Sequence, residues 1–256
     1  MVGVRITVTI LLVVFLSAPT FGQATADSSK AAQSLEEWRI SRAPVLRDDF
    51  GELARYRDAN AGLKPPAAGE RRVVFFGDSI TDIWPIEKYF PSKPYVNRGI
   101  GGQTTPQMLI RFRQDVINLQ PAAVVVLAGT NDIAGNTGPM SLEDIEANFA
   151  SMAELAAAHN IRVILSSVLP VHNYTPQSTD TFPMRSPEKI RKLNRWLREY
   201  CEAHGCLYLD YFSPMTDARG LLKKELAEDG LHPNADGYAI MAPLAAAAIQ
   251  KALSPP

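Results

Sequence analysis

The chain has 256 residues, a formal net charge of −1 and 46% hydrophobic residues. A near-neutral balance offers no strongly basic face for nucleic acid, and a chain of this length and apolar content builds a core without a disulfide framework. Its two cysteines, Cys201 and Cys206, match neither a zinc nor a redox spacing. They are either a disulfide pair or two buried thiols, one ending a helix and one opening a strand.

The N-terminus has the order of a secretory signal peptide. Residues 1–5 form a short positive stretch, residues 6–16 an apolar run broken only by Thr7 and Thr9, and Ser17-Ala18-Pro19 ends it. The expected signal covers residues 1–22, with cleavage after Gly22 or as late as Ala26. The apolar run is well short of the ~20 residues that span a bilayer, and no cysteine stands near the cleavage region to carry a lipid. A secreted or periplasmic protein with no stable membrane anchor after cleavage is expected. Residues 27–70 then form a lead-in, helical over 34–40 and 48–59, with a linker-like Leu63-Lys64-Pro65-Pro66-Ala67-Ala68-Gly69.

From residue 71 to 253 a rhythm sets in. Short runs rich in strand formers fall at 72–76, 95–97, 122–127, 162–166 and 206–209. Helical segments fall at 105–119, with Pro106 in its first turn, at 141–159, opened by Ser141-Leu142-Glu143-Asp144 in a near capping box, at 187–203 after Ser186 as N-cap, and at 235–253. Continuous apolar strands alternating with helices predict a parallel sheet covered on both faces, a three-layer α/β/α fold. Ligands of such sheets bind beyond the carboxyl ends of the strands.

The unusual clusters fall at those ends. Gly77-Asp78-Ser79-Ile80 follows the first strand, Gly99-Ile100-Gly101-Gly102-Gln103 the second, and Gly129-Thr130-Asn131-Asp132 the third; Asp229-Gly230-Leu231-His232-Pro233 precedes the last helix. In order and spacing these four blocks resemble those of the SGNH (GDSL-type) hydrolases, in the branch of small acetylhydrolases and lysophospholipase-like esterases. The likeness runs from about residue 72 to 250. It implies a flavodoxin-like, five-stranded parallel sheet and ester hydrolysis through an acyl-enzyme. Ile80 replaces the leucine of the block name, and Gln103 stands where an acidic residue is common.

The chemistry also follows from the residues. A serine hydroxyl needs a base to become a nucleophile, and His232 is suited to that role. Asp229, three residues earlier on a turn through Gly230, can reach the near ring nitrogen and leave the far one for Ser79. The backbone N–H groups of Ser79 and Gly102 and the Asn131 amide are the expected oxyanion donors. Two rival motifs are incomplete. Gly77-Asp78-Ser79-Ile80-Thr81 lacks the second glycine of a nucleophile elbow, and Thr104 stands in place of the third glycine of a dinucleotide loop.

Three further residues are candidate substrate contacts: Asp78, which otherwise orients the turn; Trp84, which lines an acyl pocket or simply packs; and His172, in the long segment 169–186 after the fourth strand. No metal site and no cofactor are expected. The expected function is an exported esterase acting on short acyl, notably acetyl, groups of small molecules or glycans. The alternatives are a lysophospholipase or thioesterase, or a non-catalytic carbohydrate-binding relative.

Overall fold

Five short apolar runs become the five strands of one sheet in the computed structural model, which describes residues 21–254; residues 1–20, which carry most of the targeting pattern, lie outside it. In chain order the elements are α1 (Phe21–Asp48), α2 (Arg57–Gly62), β1 (Val73–Gly77), α3 (Ser79–Asp82), α4 (Ile86–Tyr89), β2 (Tyr95–Gly99), α5 (Thr105–Asp115), β3 (Ala123–Leu127), α6 (Thr130–Ala134), α7 (Leu142–Ala158), β4 (Arg162–Ser166), α8 (Pro187–His204), β5 (Leu207–Leu209), α9 (Phe212–Met215) and α10 (Ala235–Leu253). All strand pairs are parallel, in the order β2-β1-β3-β4-β5. β1 and β3 are buried along their whole length and β2 only at its carboxyl end. Central strands covered on both faces have no solvent side to carry polar residues, hence Val-Val-Phe-Phe and Val-Val-Val.

The helices cover both faces. α5, α7 and α8 pack side by side on one, and α10 lies along β3, β4 and β5 on the other. Register fixes the site: Gly77 pairs with Gly99 on β2 and with Leu127 on β3, so three strands end level. The chain winds one way from β1 to β2 and the other way from β3 onward, which opens a crevice between the carboxyl ends of β1 and β3.

Two expectations need correction. The segment 105–119 is not one helix: α5 ends at Asp115, Val116 leaves helical geometry at φ −127° and ψ −67°, and a single 3-10 turn (Ile117–Leu119) follows. That turn presents the Leu119 carbonyl to Arg72 Nη1 at 2.9 Å. In the lead-in, α1 is one long helix with Pro44 inside it, and 48–59 is not one helix: Asp48 ends α1 and only 57–59 fall in α2. The Asp49 carboxylate accepts from the N–H groups of Leu53 and Ala54, both at 2.9 Å, and bends the chain into turns until α2.

Cys201 and Cys206 form a disulfide, with Cα atoms 4.5 Å apart, that ties the last turn of α8 to the start of β5. Among the described residues no helix is long and apolar enough to cross a membrane.

Candidate active site

The turn after β1 is built to hold Ser79 at the carboxyl end of the sheet. Asp78 leaves the strand in extended geometry, and its Oδ1 accepts the Ile80 N–H at 2.9 Å, capping α3. Ser79 is the first residue of that helix, so its own N–H has no partner within the helix. Tyr238 of α10 donates its hydroxyl to the Ile80 carbonyl at 2.7 Å, and Asn97 of β2 donates its amide to the Thr81 carbonyl at 2.6 Å. Both fix the turn from outside.

Ser79 Oγ lies 2.9 Å from His232 Nε2. On the far side of the ring, His232 Nδ1 lies 2.5 Å from Asp229 Oδ2. The other oxygen of Asp229 accepts the backbone N–H groups of Leu231 and His232 at 3.0 and 2.8 Å, so the turn itself aims the carboxylate. Burial alone would raise the Asp229 carboxyl. The hydrogen bonds from the His232 ring and backbone outweigh it and hold the carboxyl at about 2. An ionised Asp229 keeps the proton on Nδ1, which leaves Nε2 to accept from the Ser79 hydroxyl.

The donors converge from two other loops. Gly102 has φ +78°, and a Cβ placed there would lie 2.5 Å from the Trp38 ring, so both conformation and space require glycine. The Gly101 N–H is taken by Asp82 Oδ2 at 3.1 Å, and the Gly102 carbonyl by the Asn136 amide at 2.9 Å. Among the described residues the Gly102 N–H has no such bond. Asn131, buried at the start of α6, donates Nδ2 to the Gln103 carbonyl at 3.0 Å, which leaves its second amide hydrogen for a ligand.

The same amide's oxygen accepts from Arg185 Nη2 at 3.1 Å, and Arg185 also donates to Thr130 Oγ1 and the Thr181 carbonyl, at 3.2 and 3.0 Å. Arg185 therefore fixes which end of the Asn131 amide faces the cleft. A second buried guanidinium, Arg111, joins the strand ends. It donates to Gly77 O at 2.9 Å, Arg98 O at 2.9 Å, Gln103 Oε1 at 2.6 Å and Asp115 Oδ2 at 3.1 Å. Ser79, Gly102, Asn131, Arg185 and His232 face one cleft of about 490 Å³, whose outer wall is α1 through Leu35 and Trp38. Nothing in the local sequence marked Arg185, Arg111 or Trp38; only the tertiary structure gives them partners.

The sequence profile of the GDSL-like Lipase/Acylhydrolase family matches residues 75–240, from β1 into α10. The chain belongs to this family. It is 43% identical to a GDSL-like lipase from Bacteroides thetaiotaomicron, over 80% of this chain and 100% of that one, with a TM-score of 0.74. A Bacteroides fragilis protein assigned to the acylhydrolases is 42% identical over 81% of this chain and 100% of its own, with a TM-score of 0.76. An uncharacterized lipoprotein of Bacillus subtilis is 31% identical over 122 residues; the match covers 40% of this chain and 50% of the lipoprotein, so the chain spans about half the length of that relative.

Three residues expected at the substrate lie elsewhere in this GDSL-like fold. Asp78 is fully buried as the α3 cap. Trp84 is 2% exposed and stacks on Tyr238 with ring centroids 5.1 Å apart; it packs the core beneath the site and does not line the cleft. His172 is fully buried. Its Nε2 donates to the Ala227 carbonyl at 2.8 Å, and its backbone N–H donates to Gly230 O at 3.0 Å. A Cβ at Gly230 would run into the His172 carbonyl oxygen, so His172 supports the Asp229–His232 turn from behind. The segment 169–186 still reaches the cleft, through Asp180, Thr181, Met184 and Arg185. Among the described residues no cluster of three His, Cys, Asp or Glu side chains is placed to hold a metal ion.

Burial pushes the Asp78 and Asp132 carboxyls up to about 6 each, and the hydrogen bonds from Ile80 and Thr105 offset only part of this. One oxygen of each, Oδ2, is buried without a partner among the described residues. A carboxyl raised in the folded state contributes stability that is complete below its unfolded value and is lost as the pH climbs through the folded one. Here that window runs from about 4 to about 6, and the loss is on the order of 3 kcal/mol per group. Asp229 works in the opposite sense: its contribution is present above about 4 and is lost only as the pH falls through about 2. Between pH 5 and 7.5 the buried pair gives up what remains of its contribution. Thermal melts should show Tm falling by several degrees across that range. A flat or rising Tm would show that the pair is ionised at no cost.

Proposed function

We propose that the protein is a serine esterase that cleaves short-chain carboxylic esters, acetyl esters of small molecules and glycans among them, through an acyl-Ser79 intermediate. The observation that carries this reading is the unbroken path from Ser79 Oγ through His232 to Asp229, at 2.9 and 2.5 Å, beside the donors at Gly102 and Asn131. As Ser79 Oγ bonds to the ester carbonyl carbon, His232 Nε2 takes the hydroxyl proton and the carbonyl π pair moves onto oxygen. The N–H groups of Ser79 and Gly102 and the free Asn131 amide hydrogen receive that oxyanion; one such donor typically supplies about 10²–10³ in rate. The oxyanion then collapses and the carbon–oxygen bond to the alcohol breaks. The alcohol leaves with the proton from His232. Water repeats the sequence on the acyl-serine, with His232 again as base, and restores Ser79.

The cleft, about 490 Å³, lies toward the small end of the roughly 300–1,000 Å³ typical of ligand sites. That supports a short acyl group over a long one. The N-terminal pattern of residues 1–26, the Cys201–Cys206 bridge and the likeness to a lipoprotein support work outside the cytoplasm, where disulfides persist.

The test is labelling with diethyl p-nitrophenyl phosphate followed by peptide mass mapping, alongside rates on p-nitrophenyl acetate, octanoate and palmitate. A single adduct on Ser79 with fastest acetate turnover is expected. An adduct elsewhere, or none, overturns the nucleophile. Fastest palmitate turnover overturns the short-acyl reading in favour of a lysophospholipase or thioesterase.

A further inference from the structure

The face of α1 that meets the rest of the protein has helical spacing: Ala31, Ser34, Leu35, Trp38 and Arg42 recur every three or four residues. Ala31 is fully buried, whereas Ile40, off that stripe, is 65% exposed. The stripe docks onto the loops that carry the active site. Ser34, Leu35, Trp38 and Arg42 line the cleft that holds Ser79 and His232. The Trp38 ring fills the space a side chain at Gly102 would need. Arg39 donates to the carbonyls of Gly135 and, at 3.3 Å, Asn136, and the Asn136 amide in turn holds the Gly102 carbonyl. Lys30 pairs with Asp180 at 3.3 Å and Arg42 with Glu52 at 2.6 Å. α1 lies wholly outside residues 75–240, the part that matches the family profile.

We propose that α1 is a wall of the substrate site, and that Trp38 is a specificity-determining residue that limits the size of ester admitted beside the Gly102 donor. This rests on the esterase reading above. An indole seated against the oxyanion loop occupies volume next to the reacting carbonyl. Trimming it opens the cleft to larger groups, and enlarging its neighbour Leu35 closes it. Any general loss of rate from a looser Gly102 affects all esters alike and cancels in a ratio.

The experiment measures kcat/KM for two pairs of esters, p-nitrophenyl octanoate against acetate and 1-naphthyl acetate against vinyl acetate. The full-length parent, Trp38→Ala, Trp38→Phe, Leu35→Trp and Ile40→Ser are compared, with folding checked by circular dichroism. Trp38→Ala should move at least one ratio tenfold or more toward the larger ester, with Trp38→Phe close to the parent. Leu35→Trp should move the same ratio the other way, and Ile40→Ser should move neither. Should Trp38→Ala not fold, the Leu35→Trp shift decides. Ratios within twofold of the parent in both Trp38→Ala and Leu35→Trp, or a shift of Trp38→Ala toward the smaller ester, overturn the proposal while leaving an active parent an esterase. A parent inert on every ester overturns the esterase reading and this inference with it.

Discussion

Ser79→Ala and His232→Ala are each expected to lower kcat on p-nitrophenyl acetate by roughly 10⁶, and the double variant is expected to be no slower than either. In the proposed mechanism the hydroxyl and the ring act as one unit. The nucleophile has no strength without the base 2.9 Å away, and the base has no task without the hydroxyl. What remains is the rate from the oxyanion donors and substrate binding, which neither substitution touches. Asp229→Asn should cost less, about 10⁴. Its amide oxygen can still accept the backbone N–H groups of Leu231 and His232, so the turn survives. Its amide nitrogen would face Nδ1, however, and force the ring proton to the wrong side. Stopped-flow or steady-state release of p-nitrophenolate reads all four variants. A double variant slower than the singles by the product of their effects would show that Ser79 and His232 act separately.

Arg111→Met is expected to destabilise the protein by about 3–5 kcal/mol, the usual cost of stranding one partner of a buried ion pair. Arg111 and Asp115 are both fully buried and 3.1 Å apart. Removing the guanidinium leaves the carboxylate with the Asn60 amide, 2.7 Å away, as its one side-chain donor among the described residues. It also strips hydrogen bonds from the Gly77 and Arg98 carbonyls and from Gln103. Net stabilities are only about 5–15 kcal/mol, and a domain of this size loses roughly 2–4 °C of Tm per kcal/mol. A fall on the order of 10 °C should appear in a thermal melt. Adding Asp115→Leu should recover part of it, because the Asp115 carboxylate is then no longer stranded. A melt unchanged by Arg111→Met would mean that the cluster is paired by other means.

The sequence made the scaffold and the reacting groups legible for related reasons. Strands buried on both faces must be continuously apolar, so β1 and β3 stood out as Val and Phe runs. The residues expected to do chemistry sit where such runs stop, at Ser79, Gly102 and Asn131, or just before the last helix, at Asp229 and His232. The structure brings Ser79, Gly102, Asn131 and His232 to one cleft and sets Asp229 behind the His232 ring. Asp78, Trp84 and His172 looked available for the same reason of position, and their side chains turn inward. Proximity along the chain says where the backbone goes but not which way a side chain points. Trp38, Arg111 and Arg185 were invisible for the converse reason. An amphipathic stripe in a lead-in helix and an arginine in a helix have no local signature of function. Their meaning comes from Gly102, Gly77 and Asn131, which are distant in sequence.

The pair Ser79–His232 joins residues 153 positions apart, while Asp229 and His232 share one turn. Imidazole and carboxylate thus share one local turn, whereas the hydroxyl reaches them only once the turn after β1 and the loop before α10 have come together. Closing so long a loop carries a large entropic cost and makes for slow topological assembly. Turnover is therefore expected to return late in refolding. It should return after far-UV signals have recovered, in step with docking of α10 across β3 to β5, so the enzyme's own reaction serves as a reporter of completed topology.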